Sequence, residues 1–538
     1  MTTIAAPVRS SPARSQSGPV AAAVRRSSSS RLLAGADALA NRCFGQQFNP
    51  LYQSGTIVVA LYLVLLVSGL WLLLFYRVGA PWESVAAITE RPWIGRWVRG
   101  LHRYASDLAV VATLVHALRM FVQGRSVGPR TLAWTSGWVL LLLIFVCGWT
   151  GYVMVWDTFG AYLAAEGARM LDALPLLSEP TSRAFTGEQP LPSAFFFLNL
   201  FAHIGIPLAM GVVFWLHVRR LARPSMLPPR SLLWSVTGVL VLTAIVWPVS
   251  IAPRADLLAL PEQVPADIYF AFWIPISRHL SGGASLLVAV AIGTVLLVLP
   301  RITAWRATRG PASEVDEDIC VGCEQCALDC PYHAITMVPR DSRRSALVAR
   351  VDPDLCVSCG ICSGSCAPMG IGPPGRSGRD QLVRAQALPA RHPELHGRVV
   401  AIACSHGASA YAGALEAAGA VPHEVSCAGN LHSSVVEVLL RAGAGGVLIL
   451  SCPPRDCWNR EGPRWLVERL YHGREAELQE RVDRARVRVV AVNAHERAEA
   501  LAALAEFEAD IARLAPAVAA RSTDVTSECE PVGAGRSR

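Results

Sequence analysis

Four histidines share one spacing within two long apolar segments of the chain. His102 and His116 lie fourteen residues apart in the first segment, and His203 and His217 lie fourteen apart in the second. Fourteen residues of α-helix rise roughly 21 Å, and steps of about 100° return the side chain close to the same face of the helix. Two such helices running the same way form two stacked pairs, His102 with His203 and His116 with His217. Each pair predicts the two axial ligands of one haem iron, whereas four unrelated core histidines are the alternative.

Glycines repeat the same period on the neighbouring apolar segments. Gly55 and Gly69 precede the first histidine segment, and Gly137 and Gly151 lie between the two histidine segments. A glycine lets a flat macrocycle approach the helix backbone, although helix–helix packing also favours small residues. Because imidazoles inside membrane helices are uncommon and usually functional, the matching period on four segments predicts two b-type haems.

Short motifs around these positions resemble cytochrome b of the bc-type complexes, most closely the chloroplast-type branch, in which cytochrome b is split. The motifs are Arg99-Gly-Leu-His102-Arg103-Tyr, His116-Ala-Leu-Arg119, Gly148-Trp-Thr-Gly151-Tyr152 and Trp156-Asp157, within about residues 45–225. The resemblance implies that the first histidine pair binds the haem on the outer side and the second pair the haem near the cytoplasm. It places three arginines where the family binds the haem propionates: Arg99, Arg103 and Arg119. Gln53 stands where the chloroplast-type protein has a haem-tethering cysteine, so an extra haem is not expected.

Composition and charge indicate a multi-pass membrane protein with several domains. Of the 538 residues 52% are hydrophobic, and apolar runs predict six membrane spans, at about 54–76, 101–122, 133–155, 195–218, 231–250 and 283–300. Arginines gather in the loops after the second and fourth spans, and acids in the loop after the third, so the positive-inside rule places both termini in the cytoplasm. The net charge of +8 collects in the N-terminal tail and these loops and does not indicate a nucleic-acid partner. The expected location is the cytoplasmic membrane of a bacterium or archaeon.

The predicted outer loop between the last two spans contains Pro265-Ala-Asp267-Ile-Tyr269-Phe270. It is similar to the Pro-Glu-Trp-Tyr loop of bc-type complexes, in which the acid takes a proton from quinol, although the match needs one inserted residue. A carboxylate beside a quinol hydroxyl is a suitable general base. Asp267, with Tyr269 beside it, is therefore the candidate catalytic residue of a quinol site, and a solvated acid on a surface loop is the alternative.

Eight cysteines in two runs follow the last span. The runs are Cys320-x-x-Cys323-x-x-Cys326-x-x-x-Cys330-Pro331 and Cys356-x-x-Cys359-x-x-Cys362-x-x-x-Cys366. This is the bacterial two-cluster ferredoxin pattern, in which the fourth cysteine of each run ligates the other cluster. It predicts one [4Fe–4S] cluster on Cys320, Cys323, Cys326 and Cys366, and another on Cys356, Cys359, Cys362 and Cys330. Zinc is the rival for any single pair, but two complete runs favour iron–sulfur clusters.

The final segment alternates apolar runs with helical stretches, which predicts a doubly wound parallel sheet. The predicted strands are 398–403, 423–426, 446–450 and 487–492. Ligands gather at the carboxyl ends of such strands, and a cysteine follows each of the first three, so a four-thiolate site is expected on Cys404, Cys427, Cys452 and Cys457. Four buried structural thiols are the alternative.

This last segment resembles the delta, iron–sulfur subunit of methyl-viologen-reducing hydrogenases over about residues 397–513. The motifs are Ala403-Cys404, Cys427-Ala-Gly429 and Cys452-Pro-Pro-Arg-Asp-Cys457. The resemblance implies a [2Fe–2S] cluster and electron transfer between a redox partner and a heterodisulfide-reductase-like complex. Ser405-His406 stands where the family's first motif usually carries a further cysteine or tryptophan, which leaves the ligand set, and a part for His406, open.

The predicted architecture is multidomain. An all-α transmembrane four-helix di-haem bundle with two further transmembrane helices precedes an α+β bacterial ferredoxin-like domain and an α/β doubly wound domain. The expected boundaries are a disordered tail with a surface helix (1–44), the di-haem bundle (45–225), two further helices with the outer loop (226–305), the ferredoxin-like domain (312–370), a linker (371–396), the hydrogenase-delta-like domain (397–513) and a disordered tail (514–538).

These features predict a membrane-bound electron-transfer subunit of an oxidoreductase that links the quinone pool, through two b haems, to cytoplasmic iron–sulfur clusters. Quinol oxidation, with electrons passed to a cytoplasmic partner, is the first hypothesis. Quinone reduction with electrons from a hydrogenase, ferredoxin or heterodisulfide-reductase-like donor is the second. A tail that only docks a partner enzyme is the third. A homodimer is expected by analogy with cytochromes b.

Overall fold

The first part of the chain is built from helices. The computed structural model describes residues 28–91, 93–174, 180–185, 191–258, 267–303, 310–340 and 345–514. Its helices before residue 310 are α1 (Ser28–Phe48), α2 (Ser54–Leu73), α3 (Pro81–Glu90), α4 (Gly95–Val122), α5 (Thr131–Val155), α6 (Thr158–Leu171), α7 (Ser193–Val218), α8 (Arg230–Val246), α9 (Ile274–Ser277) and α10 (Gly282–Thr303). α1 covers the expected surface helix, while most of the two predicted disordered tails lies outside the described residues.

Five of the described helices are long and apolar enough to cross a membrane: α2, α4, α5, α7 and α10. The sequence predicted six spans, and the difference is the predicted span 231–250. There α8 has only 17 residues, about 25 Å of helix, against a hydrocarbon core of about 30 Å. It ends at Val246 because Pro248 disfavours helical backbone at the residue before it.

The apolar helices pack in two antiparallel pairs, α2 with α4 and α5 with α7. Contacts between Gly55 and His116 and between Gly69 and His102 show the antiparallel direction of the first pair. α8 lies along α4, where a Cβ added to Gly100 would stand 3.2 Å from the Cβ of Ala244. Small buried side chains on α4 let these helices approach closely, so the histidine-bearing face of α4 is held in a fixed position.

The segment that carries the two cysteine runs contains two short antiparallel sheets. β1 (Glu314–Val315) pairs with β4 (Ile371–Gly372), and β2 (Ile335–Pro339) pairs with β3 (Leu347–Val351). Two five-residue helices, α11 (Gln325–Asp329) and α12 (Ile361–Ser365), follow equivalent positions in the two runs. Four of the nine buried residues in the core of this segment are cysteines: Cys326, Cys330, Cys362 and Cys366.

The last segment is a four-stranded parallel sheet with helices on both faces. Its strands are β5 (Val399–Cys404), β6 (Val421–Val425), β7 (Gly446–Ser451) and β8 (Val487–Ala491), in the order β6-β5-β7-β8. The helices are α13 (Gly378–Gln386), α14 (Leu388–Arg391), α15 (Ala412–Ala417), α16 (Ser433–Arg441), α17 (Gly462–Tyr471) and α18 (Arg497–Arg513). Alternate residues of β5 enter two separate cores, Val400 and Ile402 one and Val399 and Ala401 the other, as the pleat of a strand requires.

Residues 371–396, expected as a linker, are instead part of this fold. A capping box of Ser377 and Asp380 begins α13. The buried Ala385 and Leu388 then pack into the same core as α16 and α17. The high content of glycine, proline and arginine suggested a linker, but the capping residues and these two apolar positions decide the structure.

Candidate functional site

Each of the four predicted haem-ligand histidines has its Nδ1 beside a hydroxyl group on the facing helix. The Nδ1-to-oxygen distances are 2.9 Å for His102 and Ser68, 2.9 Å for His203 and Thr150, 3.1 Å for His217 and Ser136, and 3.4 Å for His116 and Ser54. Three of the hydroxyls, on Ser68, Ser136 and Thr150, donate to backbone carbonyls of their own helices, so they can accept the Nδ1 proton. Such a bond fixes the ring and leaves Nε2 as the nitrogen available to a metal.

The four predicted glycines lie against the same imidazoles. A Cβ added to each glycine would stand close to a histidine Cε1: 3.0 Å for Gly55 and His116, 3.2 Å for Gly69 and His102, 3.1 Å for Gly151 and His203, and 3.3 Å for Gly137 and His217. The glycines therefore make room for the imidazole rings of the neighbouring helix. The sequence interpretation assigned these glycines to close approach of a macrocycle, whereas in the structure they contact the histidine rings.

The four histidines surround one cavity, here called the histidine cavity. The rings of His102 and His203 have centroids 6.4 Å apart, and both line the cavity together with His116 and His217. Its volume is about 1490 Å³, above the roughly 300–1,000 Å³ of an ordinary single-ligand pocket. The size, the paired imidazoles with hydrogen-bonded Nδ1 atoms and the apolar walls fit two stacked macrocycles.

The three predicted propionate arginines line the histidine cavity, and each also has protein partners. Arg99 donates to the carbonyl of Val249 at 3.0 Å. Arg103 pairs with Asp107 and, at 2.7 Å, with Asp267. Arg119, whose side chain is 2% exposed, pairs with Asp37 at 2.5 Å and with Asp456 at 2.9 Å. The last pairing joins the membrane helices to the C-terminal sheet.

The candidate catalytic residue Asp267 is enclosed rather than solvated. Its side chain is 6% exposed and accepts hydrogen bonds from Arg103 and Tyr152. The backbone N–H groups of Tyr269 and Phe270 also donate to it, both at 2.8 Å. Asp267 is therefore not the solvated surface acid of the alternative interpretation. Its carboxylate borders the histidine cavity, as does Tyr269. Pro265 and the residue after it lie outside the described residues.

The two predicted [4Fe–4S] ligand sets are brought together in the segment 310–370. A small cavity is lined by all four members of the first set: Cys320, Cys323, Cys326 and Cys366. In the second set, Cys356 and Cys362 are both within hydrogen-bond reach of Ser313, and the N–H of Ala334 points at the sulfur of Cys330 at 3.3 Å. Burial raises the pKa of the Cys362 thiol to about 12, so a thiolate there needs a compensating cation such as iron.

The four thiols expected at the sheet edge also meet, and are called the thiol site below. All four are buried: Cys404, Cys427, Cys452 and Cys457. The sulfurs of Cys404 and Cys452 are 3.7 Å apart. A Cβ added to Gly462 would lie 2.7 Å from the sulfur of Cys427 and 3.5 Å from that of Cys457. Thus two pairs of thiols share one water-poor pocket, which fits a cluster with two cysteines on each iron.

His406 lies beside the thiol site and makes a side-chain hydrogen bond with Cys404. Its Nδ1 is 3.2 Å from the carbonyl of Ser426, and its ring stacks at 4.8 Å on Trp458. Within the described part of the chain, no group of three or more His, Cys, Asp or Glu side chains has the arrangement that would hold a single metal ion. The cysteine sets are spread more widely than one ion requires.

A loop after β7, residues 452–461, joins the thiol site to the membrane helices and is called the cysteine loop. Most of its contacts with these helices are made by arginines from the ends of the helices or the loops that follow them, and Gln123 makes another. Arg125 donates to the carbonyl of Asp456 at 2.6 Å, Arg130 to that of Trp458 at 2.6 Å, and Arg223 to the carboxylate of Glu461 at 2.6 Å. Burial raises the pKa of Asp456, but Arg125 and Arg119 more than offset this and hold it below its usual value.

The sequence interpretation missed the four hydroxyls and the arginine contacts of the cysteine loop. The hydroxyls had a signal, because a serine or threonine immediately precedes each of the four glycines: Ser54, Ser68, Ser136 and Thr150. They therefore repeat the same fourteen-residue period. The arginine contacts had no local signal, since their acidic partners lie more than 200 residues away in the sequence.

Three family models match consecutive segments of the chain. Residues 39–225 match the model described as cytochrome b/b6/petB. Residues 319–370 match the 4Fe-4S dicluster domain, and residues 399–515 match the delta subunit of methyl-viologen-reducing hydrogenase.

Curated relatives match over shorter stretches. The menaquinol:cytochrome c reductase cytochrome b subunit of Geobacillus thermodenitrificans is 26% identical over 176 residues, which are 31% of this chain and 79% of that protein. The subunit of the same name from Bacillus subtilis (strain 168) is 28% identical over 153 residues, 28% of this chain and 68% of that protein. A chain of the solved hyperthermophilic respiratory Complex III has a TM-score of 0.35 at 18% identity, over 47% of this chain and 75% of that chain. From its N-terminus onwards the chain is therefore similar first to cytochrome b/b6, then to 4Fe-4S dicluster domains, and then to the delta subunit of methyl-viologen-reducing hydrogenase.

Proposed function

We propose that the protein is the membrane-bound electron-transfer subunit of an oxidoreductase, in which two b-type haems link the quinone pool to cytoplasmic iron–sulfur clusters. The observation that carries this proposal is the histidine cavity, which four oriented imidazoles line and which extends to Cys457 of the thiol site. When bound, the haems and clusters supply the one-electron chemistry. The chain supplies axial ligands, hydrogen bonds to them and a dry environment that tunes potential.

The proposed ligand roles follow the sequence expectation. His102 and His203 hold the outer haem, and His116 and His217 hold the inner haem. Arg99, Arg103 and Arg119 face the propionates. Two [4Fe–4S] clusters occupy the two cysteine sets of segment 310–370, and a [2Fe–2S] cluster occupies the thiol site. In each set the donors are thiols that the fold brings together from separate parts of the chain.

Both termini and the iron–sulfur segments are assigned to the cytoplasm. Gln46 of α1 donates to the carbonyl of Ala491 at 3.0 Å, and Asn41 to the carboxylate of Glu496 at 2.6 Å. α1 precedes the first apolar helix and these partners follow the last, so both lie on one side of the membrane. That requires an even number of crossings, with α8 as the sixth. The same side carries Arg125 and Arg130, which the positive-inside rule assigns to the cytoplasm.

The favoured direction is quinol oxidation, with electrons passed to a cytoplasmic partner. The names of the curated relatives, menaquinol:cytochrome c reductase cytochrome b subunits, support oxidation of a quinol. The match to a hydrogenase delta subunit supports a partner of the heterodisulfide-reductase, hydrogenase or ferredoxin kind. Asp267 would then accept a proton from quinol at the outer end of the histidine cavity.

A redox titration of membranes that contain the protein tests this proposal. The expected result is reduction of two b-type haems, seen in the optical spectrum when quinol is added, followed by EPR signals of reduced low-potential iron–sulfur clusters. The absence of b-type absorbance would contradict the proposal, because the four histidines would then have another role.

The second candidate function is quinone reduction with electrons from a cytoplasmic donor. The ion pair of Asp267 with Arg103 and its two backbone hydrogen bonds favour this reading, because these partners already occupy the carboxylate that quinol oxidation would use. Haem reduction that occurs only after the clusters have been reduced would support quinone reduction over quinol oxidation.

A further inference from the structure

The cysteine loop, which carries Cys452 and Cys457 of the thiol site, lies against the end of the helix that carries His116. Arg119 follows His116 by three residues, about 4.5 Å along the helix axis. Its guanidinium is 2.9 Å from the carboxylate of Asp456, and Asp456 is the residue before Cys457. The Arg119–Asp456 ion pair thus links the helical turn after His116 to the residue before Cys457.

The histidine cavity opens toward the thiol site and not toward the ferredoxin-like segment. Cys457 and Trp458 line it together with His116 and His217. Of the described cysteines in segment 310–370, none contributes to its wall. No described residue of that segment lines the cavity, but three of its residues contact the ends of the membrane helices or the loops after them. The Tyr332 hydroxyl accepts from Arg130 at 2.6 Å, the Pro331 carbonyl from the N–H of Ala222 at 3.1 Å, and the Leu328 carbonyl from Arg223 at 2.8 Å.

Three further contacts hold the cysteine loop in this position. The guanidinium of Arg125 lies 5.6 Å over the ring of Trp458 and donates to the Asp456 carbonyl. Gln123 donates to the Asp456 carboxylate at 3.0 Å. Charge-assisted hydrogen bonds of this kind are roughly twice as strong as neutral ones and fix geometry. The loop is therefore seated on the membrane helices rather than free in solvent.

Beyond the thiol site, direct contacts lead to the ferredoxin-like segment. Asn430, three residues after Cys427, donates to the carbonyl of Gly360 at 3.0 Å, and Gly360 follows Cys359. The buried Arg469 joins Ser365 to the carbonyl of Gly429. The second cysteine set is thus the neighbour of the thiol site. In the first set, Cys323 is exposed at the protein surface.

We propose that the thiol site is the first cytoplasmic redox site: electrons pass between the His116/His217 site and the cysteines of segment 310–370 through Cys404, Cys427, Cys452 and Cys457. The order of sites is the inner histidine pair (His116 and His217), the thiol site, the Cys359 set and the Cys323 set. This rests on the proposed function. A quinol releases two electrons and two protons in becoming quinone. The protons leave to the medium at the outer end of the histidine cavity, with Asp267 as first acceptor, and the electrons pass singly along the sites to the cytoplasmic partner.

Rapid mixing of the full-length protein with quinol, followed by optical spectra and freeze-quench EPR, tests the order of sites. Cys452→Ser removes one thiol-site ligand. We expect the ratio of the [4Fe–4S] reduction rate to the haem reduction rate to fall about 10–100-fold. An unchanged ratio in this variant would overturn the proposal, because the clusters would then receive electrons directly from the inner haem.

A second variant covers the case in which Cys452→Ser does not fold. Asp456→Asn keeps every thiol but weakens the ion pairs with Arg119 and Arg125, and Glu506→Gln, at an exposed site, is the matched control. The expected result is an intact EPR signal from the thiol site with a lowered rate ratio, while the control matches the unmodified protein. An unchanged ratio in Asp456→Asn contradicts the proposal. Failure of the unmodified protein to pass electrons between quinol and any cluster would instead defeat the proposed function.

Discussion

A hydroxyl residue followed by glycine serves each candidate haem histidine in two ways. The glycine gives the imidazole room, as at Gly69, where an added Cβ would stand 3.2 Å from His102 Cε1. The preceding hydroxyl, here Ser68, then binds Nδ1 at 2.9 Å. One dipeptide therefore sets both the position and the tautomer of the ring, which are the two properties that an axial ligand must have.

We expect Gly55→Val to remove one of the two haems. An added Cβ already stands 3.0 Å from His116 Cε1, and the two further methyl groups of valine would displace the ring. Haem content per polypeptide, measured as the pyridine complex, should fall from two to one. Gly205→Val is the control, because an added Cβ there meets nothing within 4 Å. Full haem content in Gly55→Val would contradict the assigned contact.

Ser136→Ala should raise the midpoint potential of the inner haem. Ser136 Oγ lies 3.1 Å from His217 Nδ1 and donates to Leu132, so it accepts the ring proton. Without this acceptor the imidazole is a poorer electron donor to ferric iron. One hydrogen bond is worth about 1 kcal/mol, which corresponds to a rise on the order of tens of millivolts. An optical redox titration measures the shift, and Ser136→Thr, which keeps the hydroxyl, should stay near the original potential.

At the scale of elements, the sequence predicted those features that repeat along one helix. The fourteen-residue period is local, so helices α2, α4, α5 and α7 and the faces they present could be inferred from it. The capping box that begins α13 was also local but was outweighed by composition. The partners of Arg119 and Arg130 could not be inferred, because they depend on how the C-terminal sheet docks on the membrane helices. That docking depends on distant residues such as Asp456.

The short helix α8 is expected to cross the membrane despite its 17 residues. An extended segment after Val246 can complete the span, since the carbonyl of Trp247 accepts from Tyr104 at 2.6 Å and non-helical backbone is tolerated where protein satisfies it. Single cysteines at Met226 and at Leu258, which are 43% and 70% exposed, should therefore react with a membrane-impermeant thiol reagent from opposite sides.

The labelling needs a Cys43→Ala background, because Cys43 is an exposed thiol. Cys323 is exposed as well, so the Cys43→Ala protein without a new cysteine gives the background signal for each side. Met226→Cys should react in inside-out vesicles, and Leu258→Cys in right-side-out cells. Reaction of both from the same side would show that α8 does not cross. The shared side proposed for α1 and the C-terminal sheet would then need another explanation.

At the scale of the whole molecule, one group of arginines acts in both topology and docking. Arg125, Arg130 and Arg223 lie in loops that the positive-inside rule assigns to the cytoplasm. In the fold they hold Asp456, Trp458 and Glu461 of the cysteine loop. The charges that orient the membrane helices thus also seat the iron–sulfur part of the chain on them. A docking tail that carries no electrons would not require Cys457 of the thiol site to line the histidine cavity.

The direction of electron flow through the whole chain depends on Asp267. Asp267→Asn keeps an oxygen that can accept from the N–H groups of Tyr269 and Phe270, but it removes the proton acceptor. If quinol is oxidised at the outer end of the histidine cavity, the rate of haem reduction by quinol should fall about 10²–10⁴-fold. Asp107→Asn, which also loses an ion pair to Arg103, should have a much smaller effect. Stopped-flow spectra of both variants measure these rates, and haem reduction from chemically reduced clusters serves as the internal reference. An equal, small effect of the two substitutions would favour quinone reduction, because Asp267 would then act only as a partner of Arg103 and as a cap for its loop.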